Sequence, residues 1–189
     1  LGMSECSAYI SSPPGHPIRP GSPGQAQPGR CVAIFPVAGG SEPLPSGEIG
    51  LLAVHRRDPG LMLGYWNRPD EEALVYRGDW FIGGDLAHFD AEGYLHYHGR
   101  NDDVMNAMGY RVSPLEVEQC LSRHPAVAET AVTEVPVREE VTVIAAFVVP
   151  RDPDETDAAP LLAYVHEHLA AYKCPREIIF IDSLPRTAN

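Results

Sequence analysis

Four stretches carry side chains that could hold or activate a ligand: GMSE at 2–5, GGDL at 83–86, GRNDDVMNAMGYRVSPLEVE at 99–118, and YKCPR at 172–176 leading to LPRTAN at 184–189. Taken singly, each has a plain structural reading. Ser4 suits a turn, and Gly-Gly-Asp suits a turn inside a hairpin. Arg100 beside Asp102 and Asp103 suits a surface ion pair, which contributes little to stability. Gly109 suits a tight turn, and Arg111 suits a salt bridge to Glu116 or Glu118. Lys173 and Arg176 flank Cys174-Pro175 and read either as solvated charge or as a small basic patch for phosphates. His96 and His98 alternate onto one strand face as a metal pair would. No third ligand lies near them in sequence, so they read as surface residues of a hairpin.

The elements that must position these groups differ between the two halves. Residues 11–47 are rich in Pro and Gly but are punctuated by strand-like runs, 30–35 and then 48–54. Short strands separated by turn residues point to a small sheet or barrel. RPDEEALVY (68–76) predicts a short helix with Pro69 in its first turn and acids following. WFIGGDLAHFDAEGYLHYHGR (80–100) predicts two strands joined by a turn at Asp90-Ala91-Glu92-Gly93.

After Arg100 the texture changes. SPLEVEQCLSRH (113–124) predicts an amphipathic helix with Ser113 as N-cap, Pro114 in the first position and Glu116 completing a capping box. Val117, Cys120 and Leu121 give that helix its apolar face. AVAETAVTEVPV (126–137) and TVIAAFVVP (142–150) read as strands, the second apolar enough to be central. APLLAYVHEHLAAY (159–172) reads as a second helix and EIIFIDSL (177–184) as a last strand, giving the order β-α-β-β-α-β.

The chain has 189 residues, 44% hydrophobic and 21% charged, as a globular protein of one or two domains would. Its net charge of −12, from 14 basic and 26 acidic residues, argues against non-specific nucleic-acid binding, which needs a basic stripe. The longest apolar run, 141–149, is too short to cross a bilayer, and no signal peptide is visible. The expected compartment is the cytoplasm. Cys6, Cys31, Cys120 and Cys174 form no C-x-x-C pair and read as free thiols.

Together, the order and spacing of the motifs resemble the C-terminal part of the adenylate-forming (AMP-binding) enzymes: acyl- and aryl-CoA synthetases, luciferases and adenylation domains. In that family a Gly-x-[Ser/Thr]-Glu turn is followed by Gly-Asp-Leu, then Gly-Arg-x-Asp-Asp and Gly-x-Arg-[Val/Ile]-x-Pro-x-Glu-[Val/Ile]-Glu. The series closes on Leu-Pro-[Arg/Lys]-Thr-x-x-Gly-Lys, of which all but the last two residues stand here. The resemblance covers essentially the whole chain. It implies a fragment, with the family's catalytic Lys beyond Asn189, and so a 189-residue chain that is inactive alone.

The resemblance also assigns roles. Gly2, Met3 and Ser4 would line the nucleotide site, with Glu5 as the Mg²⁺ ligand of bound ATP. Asp85 and Arg100 would hold the ribose hydroxyls, and Asp102 would be the hinge. Gly109, Tyr110, Arg111, Lys173 and Arg176 would meet CoA, Gly109 lining the pantetheine tunnel. This chain has Met108-Gly109 where the family often has two glycines.

The implied fold class is mixed α+β. Residues 1–99 would be the remainder of a large domain with a distorted β-barrel, 100–102 a hinge, and 103–189 a small mobile α+β domain with a few-stranded sheet and two or three helices. A partial large domain would expose apolar surface, so the first part is expected to be less ordered or paired as a homodimer. The implied activity joins a small-molecule carboxylic acid, aliphatic or aromatic, to CoA at the expense of ATP. An adenylation domain that loads a carrier protein, and a non-catalytic interaction domain, are the alternatives.

Overall fold

A computed structural model describes residues 1–107, 110–138, 141–154 and 156–186. The chain divides into two compact units, Leu1–Asp102 and Asp103–Asn189.

The first unit is almost wholly antiparallel β. A hairpin of β1 (Gly2–Met3) and β2 (Ser7–Ala8) precedes a seven-stranded sheet. Its strands are β3 (Ile10–Ser11), β4 (Gly24–Ala26), β5 (Val32–Phe35), β6 (Gly50–His55), β7 (Tyr76–Arg77), β8 (Trp80–Phe89) and β9 (Tyr94–Arg100). The order is β3-β4-β9-β8-β6-β5, with β7 on β8. The sheet is open, not a closed barrel: β3 has only two residues and β5 four, and these edges do not pair. The core packs Tyr9, Ile10, Ile34, Leu52, Val54, Ala87 and Leu95 around Cys6. Gly50 is required in β6, because a Cβ there would lie 2.2 Å from the Phe35 carbonyl oxygen.

The expected 68–76 helix is α1 (Pro69–Leu74), with Asp70, Glu71 and Glu72 in its first turn. The hairpin turn at 90–93 forms as its composition requires. Asp90 accepts from the backbone N–H groups of Glu92 and Tyr94 at 3.0 and 2.8 Å, and Gly93 takes the left-handed conformation at φ 82°.

In the second unit, β10 (Met105–Ala107) and β11 (Tyr110–Val112) pair ahead of α2 (Pro114–Leu121). A three-stranded sheet then forms from β12 (Val127–Arg138), β13 (Val141–Pro150) and β14 (Glu177–Phe180). β13 is central as its apolar run requires, antiparallel to β12 and parallel to β14. Helix α3 (Ala158–His168) is the crossover between β13 and β14, capped by Asp157, which accepts from Ala159 N–H at 2.9 Å. Val117, Cys120 and Leu121 of α2 are buried with Val132, Ile144, Val148, Leu161 and Val165.

Two local expectations differ. The capping box is not made: Ser113 is the N-cap, but its side chain makes no capping bond, and the Glu116 carboxylate reaches Lys173 instead. An ammonium offers a charge-assisted pair, stronger than a neutral backbone donor. The second helix also stops early. Leu169 turns extended (φ −125°, ψ 153°) and packs against the core, and residues 171–173 form a separate 3-10 turn.

Candidate functional site

The nucleotide-facing candidates of the first unit gather around one irregular strand pair. Strands β8 and β9 run in a register that sets Asp85 directly opposite Arg100, and the register slips between Leu86 and Ala87. Such a bulge re-aims side chains locally. Gly84 takes φ 84°, and a Cβ there would meet Arg100 Nη2 at 2.9 Å, so the guanidinium lies flat over bare backbone.

The Arg100 guanidinium is divided among three acceptors. It donates to the Gly83 carbonyl at 2.8 Å and to Asp102 Oδ2 at 2.5 Å, and its Nη1 stands 3.7 Å from Asp85 Oδ1. Asp85 is 7% exposed and also accepts from the Tyr97 hydroxyl at 3.3 Å. Burial raises the Asp85 carboxyl above its ordinary value, against the pull of Arg100 and the Tyr97 bond. Maintaining a carboxylate at a cost to its own ionisation is typical of functional sites.

The β1–β2 turn carrying Ser4 and Glu5 is brought to this strand pair by Met3, whose methyl would touch a Cβ on Gly83 at 2.8 Å. Gly2 is needed for the turn to close, since its Cβ would lie 2.7 Å from the Ser7 carbonyl oxygen. Glu5 is gripped twice: its carbonyl accepts from Met62 N–H at 2.6 Å and its Oε1 from the Tyr65 hydroxyl at 3.0 Å.

Beneath the turn lies a buried ion pair, Arg30 Nη1 to Asp58 Oδ1 at 2.6 Å, with side-chain exposures of 9% and 0%. Arg30 Nη2 donates to the carbonyls of Cys6 and Ala8 at 2.6 and 2.8 Å, while Asp58 accepts from Cys31 and Gly60 N–H, both at 2.9 Å. These bonds hold the turn with Ser7 at φ 57°, a conformation costly for any residue but Gly.

Among the described residues, no group of three or more His, Cys, Asp or Glu side chains is arranged to hold a metal ion. One carboxylate at the turn is a donor set suited to Mg²⁺, which takes its remaining ligands from phosphate oxygens and water. His96 and His98 do not stand alone. His88 stacks between them at 4.8 and 5.0 Å between ring centroids, and Asp90 bonds His96 at 3.2 Å. They form a packed imidazole face on the hairpin.

The second unit carries its own constellation. The Tyr110 and Tyr172 rings stack at 4.6 Å beside a cavity of about 460 Å³. Arg138, Val143, Cys174 and Arg176 also line it, so an apolar wall is flanked by two guanidinium groups. Lys173 does not line it: its ammonium makes bonds of 2.6 and 2.8 Å to both Glu116 oxygens. Arg111 lies in β11 opposite Asn106, and Gly109 falls outside the described residues.

Tyr65, Tyr97 and the Arg30–Asp58 pair were not singled out from sequence. Each acts on a partner 12 to 60 residues away, across a sheet register that no local pattern reveals.

Residues 116–189 match the model of the AMP-binding enzyme C-terminal domain. The chain is 38% identical over its whole length to an uncharacterized acyl–CoA ligase, YtcI, of Bacillus subtilis, and covers 36% of that protein. It is 38% identical to a 3-hydroxybenzoate–CoA ligase of Aromatoleum, with 90% of this chain and 33% of the relative aligned. The ATP-bound crystal structure of MatB from Rhodopseudomonas palustris superposes with a TM-score of 0.90 at 35% identity, covering 98% of this chain and 37% of that one. The chain thus spans about a third of the length of the relatives it matches. It belongs to the adenylate-forming (AMP-binding) enzymes, as a C-terminal portion of the acyl-CoA synthetase type.

Proposed function

We propose that this chain is the nucleotide- and thiol-handling portion of an ATP-dependent carboxylic acid–CoA ligase. The observation that carries the reading is the Asp85–Arg100 pairing, a costly buried carboxylate beside a guanidinium, with the Glu5 turn packed against the same strand by Met3. An ionised carboxylate is a double acceptor and suits two vicinal ribose hydroxyls, while Arg100 supplies donors to the same sugar.

In the first step the substrate carboxylate attacks the α-phosphate of ATP, forming an acyl-adenylate and releasing pyrophosphate. Asp85 and Arg100 fix the ribose, and Gly2, Met3 and Ser4 border the phosphates. Glu5 would hold Mg²⁺, which supplies charge neutralisation on the phosphate oxygens. In the second step the CoA thiol attacks the adenylate carbonyl and AMP leaves. Asp102, at the junction of the two units, is the hinge in this reading, because a loop residue can absorb a backbone change without disturbing a core.

CoA is favoured over a carrier-protein thiol by the second-unit cavity. A planar aromatic pair next to two guanidinium groups suits a purine bearing phosphates. Tyr110, Arg111 and Arg176 would receive that nucleotide, with Gly109 on the path of the thiol arm. Lys173 would act mainly by holding Tyr172 and the 3-10 turn through Glu116. The relatives named as CoA ligases support the same acceptor.

The test is a panel of aliphatic and aromatic acids given to the full-length polypeptide with ATP and CoA, reading loss of free thiol. Thiol loss that requires both ATP and one of the acids supports the reading. Adenylate formation with transfer only to a carrier protein overturns the CoA assignment.

A further inference from the structure

Glu5 is the carboxylate of the β1–β2 turn, and a glutamate has three rotatable bonds and little reason of its own to hold one direction. Two neighbours restrain it, and both come from the segment between β6 and α1. Met62 N–H bonds its carbonyl at 2.6 Å, which fixes the backbone. The Tyr65 hydroxyl bonds Oε1 at 3.0 Å, which fixes the head group. Among the described residues no donor is paired with Oε2.

The same segment is anchored at its other end by Asp58, which is bonded to Arg30, and Arg30 in turn holds the carbonyls of Cys6 and Ala8. Gly60 is part of this arrangement, since a Cβ there would fall 1.8 Å from Arg30 Nη1. Residues 58–65 therefore grip the turn at Glu5, reach the residues just after it through Arg30, and end on its carboxylate.

We propose that Tyr65 is a positioning residue for the cation site: its hydroxyl occupies Oε1 and thereby presents Oε2 to a divalent cation carried on the nucleotide phosphates. The proposal rests on Glu5 being the cation ligand. The phenolic O–H donates this bond and the Oε1 lone pair accepts it.

Hydrogen bonds that orient a metal ligand typically contribute 10- to 100-fold to metal affinity, and the partial exposure of this one places it at about the lower limit, roughly ten-fold. The experiment uses the full-length polypeptide with Mn²⁺ as the probe, because electron paramagnetic resonance counts free Mn²⁺ by its six-line signal and so gives the bound metal by difference. Mn²⁺ affinity is measured in the presence of ATP for the parent, Tyr65→Phe and Glu5→Gln. ATP affinity without metal and thermal melting are recorded beside it.

The expected result is a roughly ten-fold weaker Mn²⁺ affinity in Tyr65→Phe and a larger loss in Glu5→Gln. Metal-free ATP binding and melting should be unchanged in Tyr65→Phe. Undiminished Mn²⁺ affinity in Tyr65→Phe, with loss in Glu5→Gln, overturns the positioning role and leaves Glu5 as ligand. Undiminished affinity in Glu5→Gln removes the ligand assignment and the proposal with it. A Tyr65→Phe protein that melts early or loses metal-free ATP overturns the proposal in favour of a purely structural hydroxyl.

Discussion

Replacing Asp58 with Ala tests the physical basis of the turn that carries Glu5. The Asp58 and Arg30 side chains are 0% and 9% exposed, and among the described residues their 2.6 Å contact is the one ion pair that either makes. Removing one partner of a buried pair leaves the other charge uncompensated and costs about 3–5 kcal/mol. The lost acceptors of Cys31 and Gly60 N–H lie within that figure. In a unit of this size each kcal/mol lowers the melting temperature by about 4–8 °C, so the unit should melt roughly 20 °C early.

Tryptophan fluorescence reads this unit selectively in the 189-residue chain, because both tryptophans, Trp66 and Trp80, lie within it. Trp80 is packed against Phe35 and His55, at 5.2 and 4.8 Å between ring centroids, and so senses the core. The double variant Arg30→Met with Asp58→Leu should recover only part of the loss: it removes the uncompensated charge, but leaves the Cys6 and Ala8 carbonyls and the Cys31 and Gly60 N–H groups without these partners. A loss below about 1 kcal/mol in Asp58→Ala would refute the reasoning, because the pair would then be solvated rather than buried.

Three further outcomes are expected. Burial raises the Asp85 carboxyl above its ordinary value of 3.8, so the folded state binds this proton more tightly than the unfolded state and stability falls as pH rises through the raised value. Asp85→Asn removes that fall: denaturant midpoints should match the parent near pH 3 and exceed it at pH 7, while ATP binding weakens. Tyr172→Ala removes the ring stacked on Tyr110 and should raise the KM for CoA in the full-length polypeptide by about ten-fold, a stacking loss of roughly 1–2 kcal/mol, leaving the KM for ATP unchanged. The 189-residue chain contains one lysine, Lys173, which is engaged by Glu116, so purified alone it should show no ATP–pyrophosphate exchange.

Much of this was legible in the sequence because it depends on local chemistry. The 90–93 turn follows from an Asp that can bond its own backbone and a Gly that can take positive φ. The buried face of α2 follows from Val117, Cys120 and Leu121, and the central position of β13 from an unbroken apolar run. The open sheet was not legible, because closure depends on edge strands too short to carry a pattern. Nor was the fate of Glu116, where a local capping signal lost to Lys173, 57 residues away. Asp85 and Arg100 could be named from motifs, but their opposition depends on the slip at Leu86–Ala87. Tyr65 and Tyr97 carry no motif of their own; their roles appear only when the fold sets each hydroxyl against a carboxylate.

The proposed reaction runs through an acyl-adenylate. It is tested most directly by giving the full-length polypeptide a carboxylic acid labelled with ¹⁸O in its carboxyl group, with ATP and CoA, and weighing the AMP released. Attack of the carboxylate on the α-phosphate predicts one labelled oxygen in each AMP and the acid's carbonyl in the thioester. Unlabelled AMP, or label recovered in inorganic phosphate beside ADP, would rule out the acyl-adenylate.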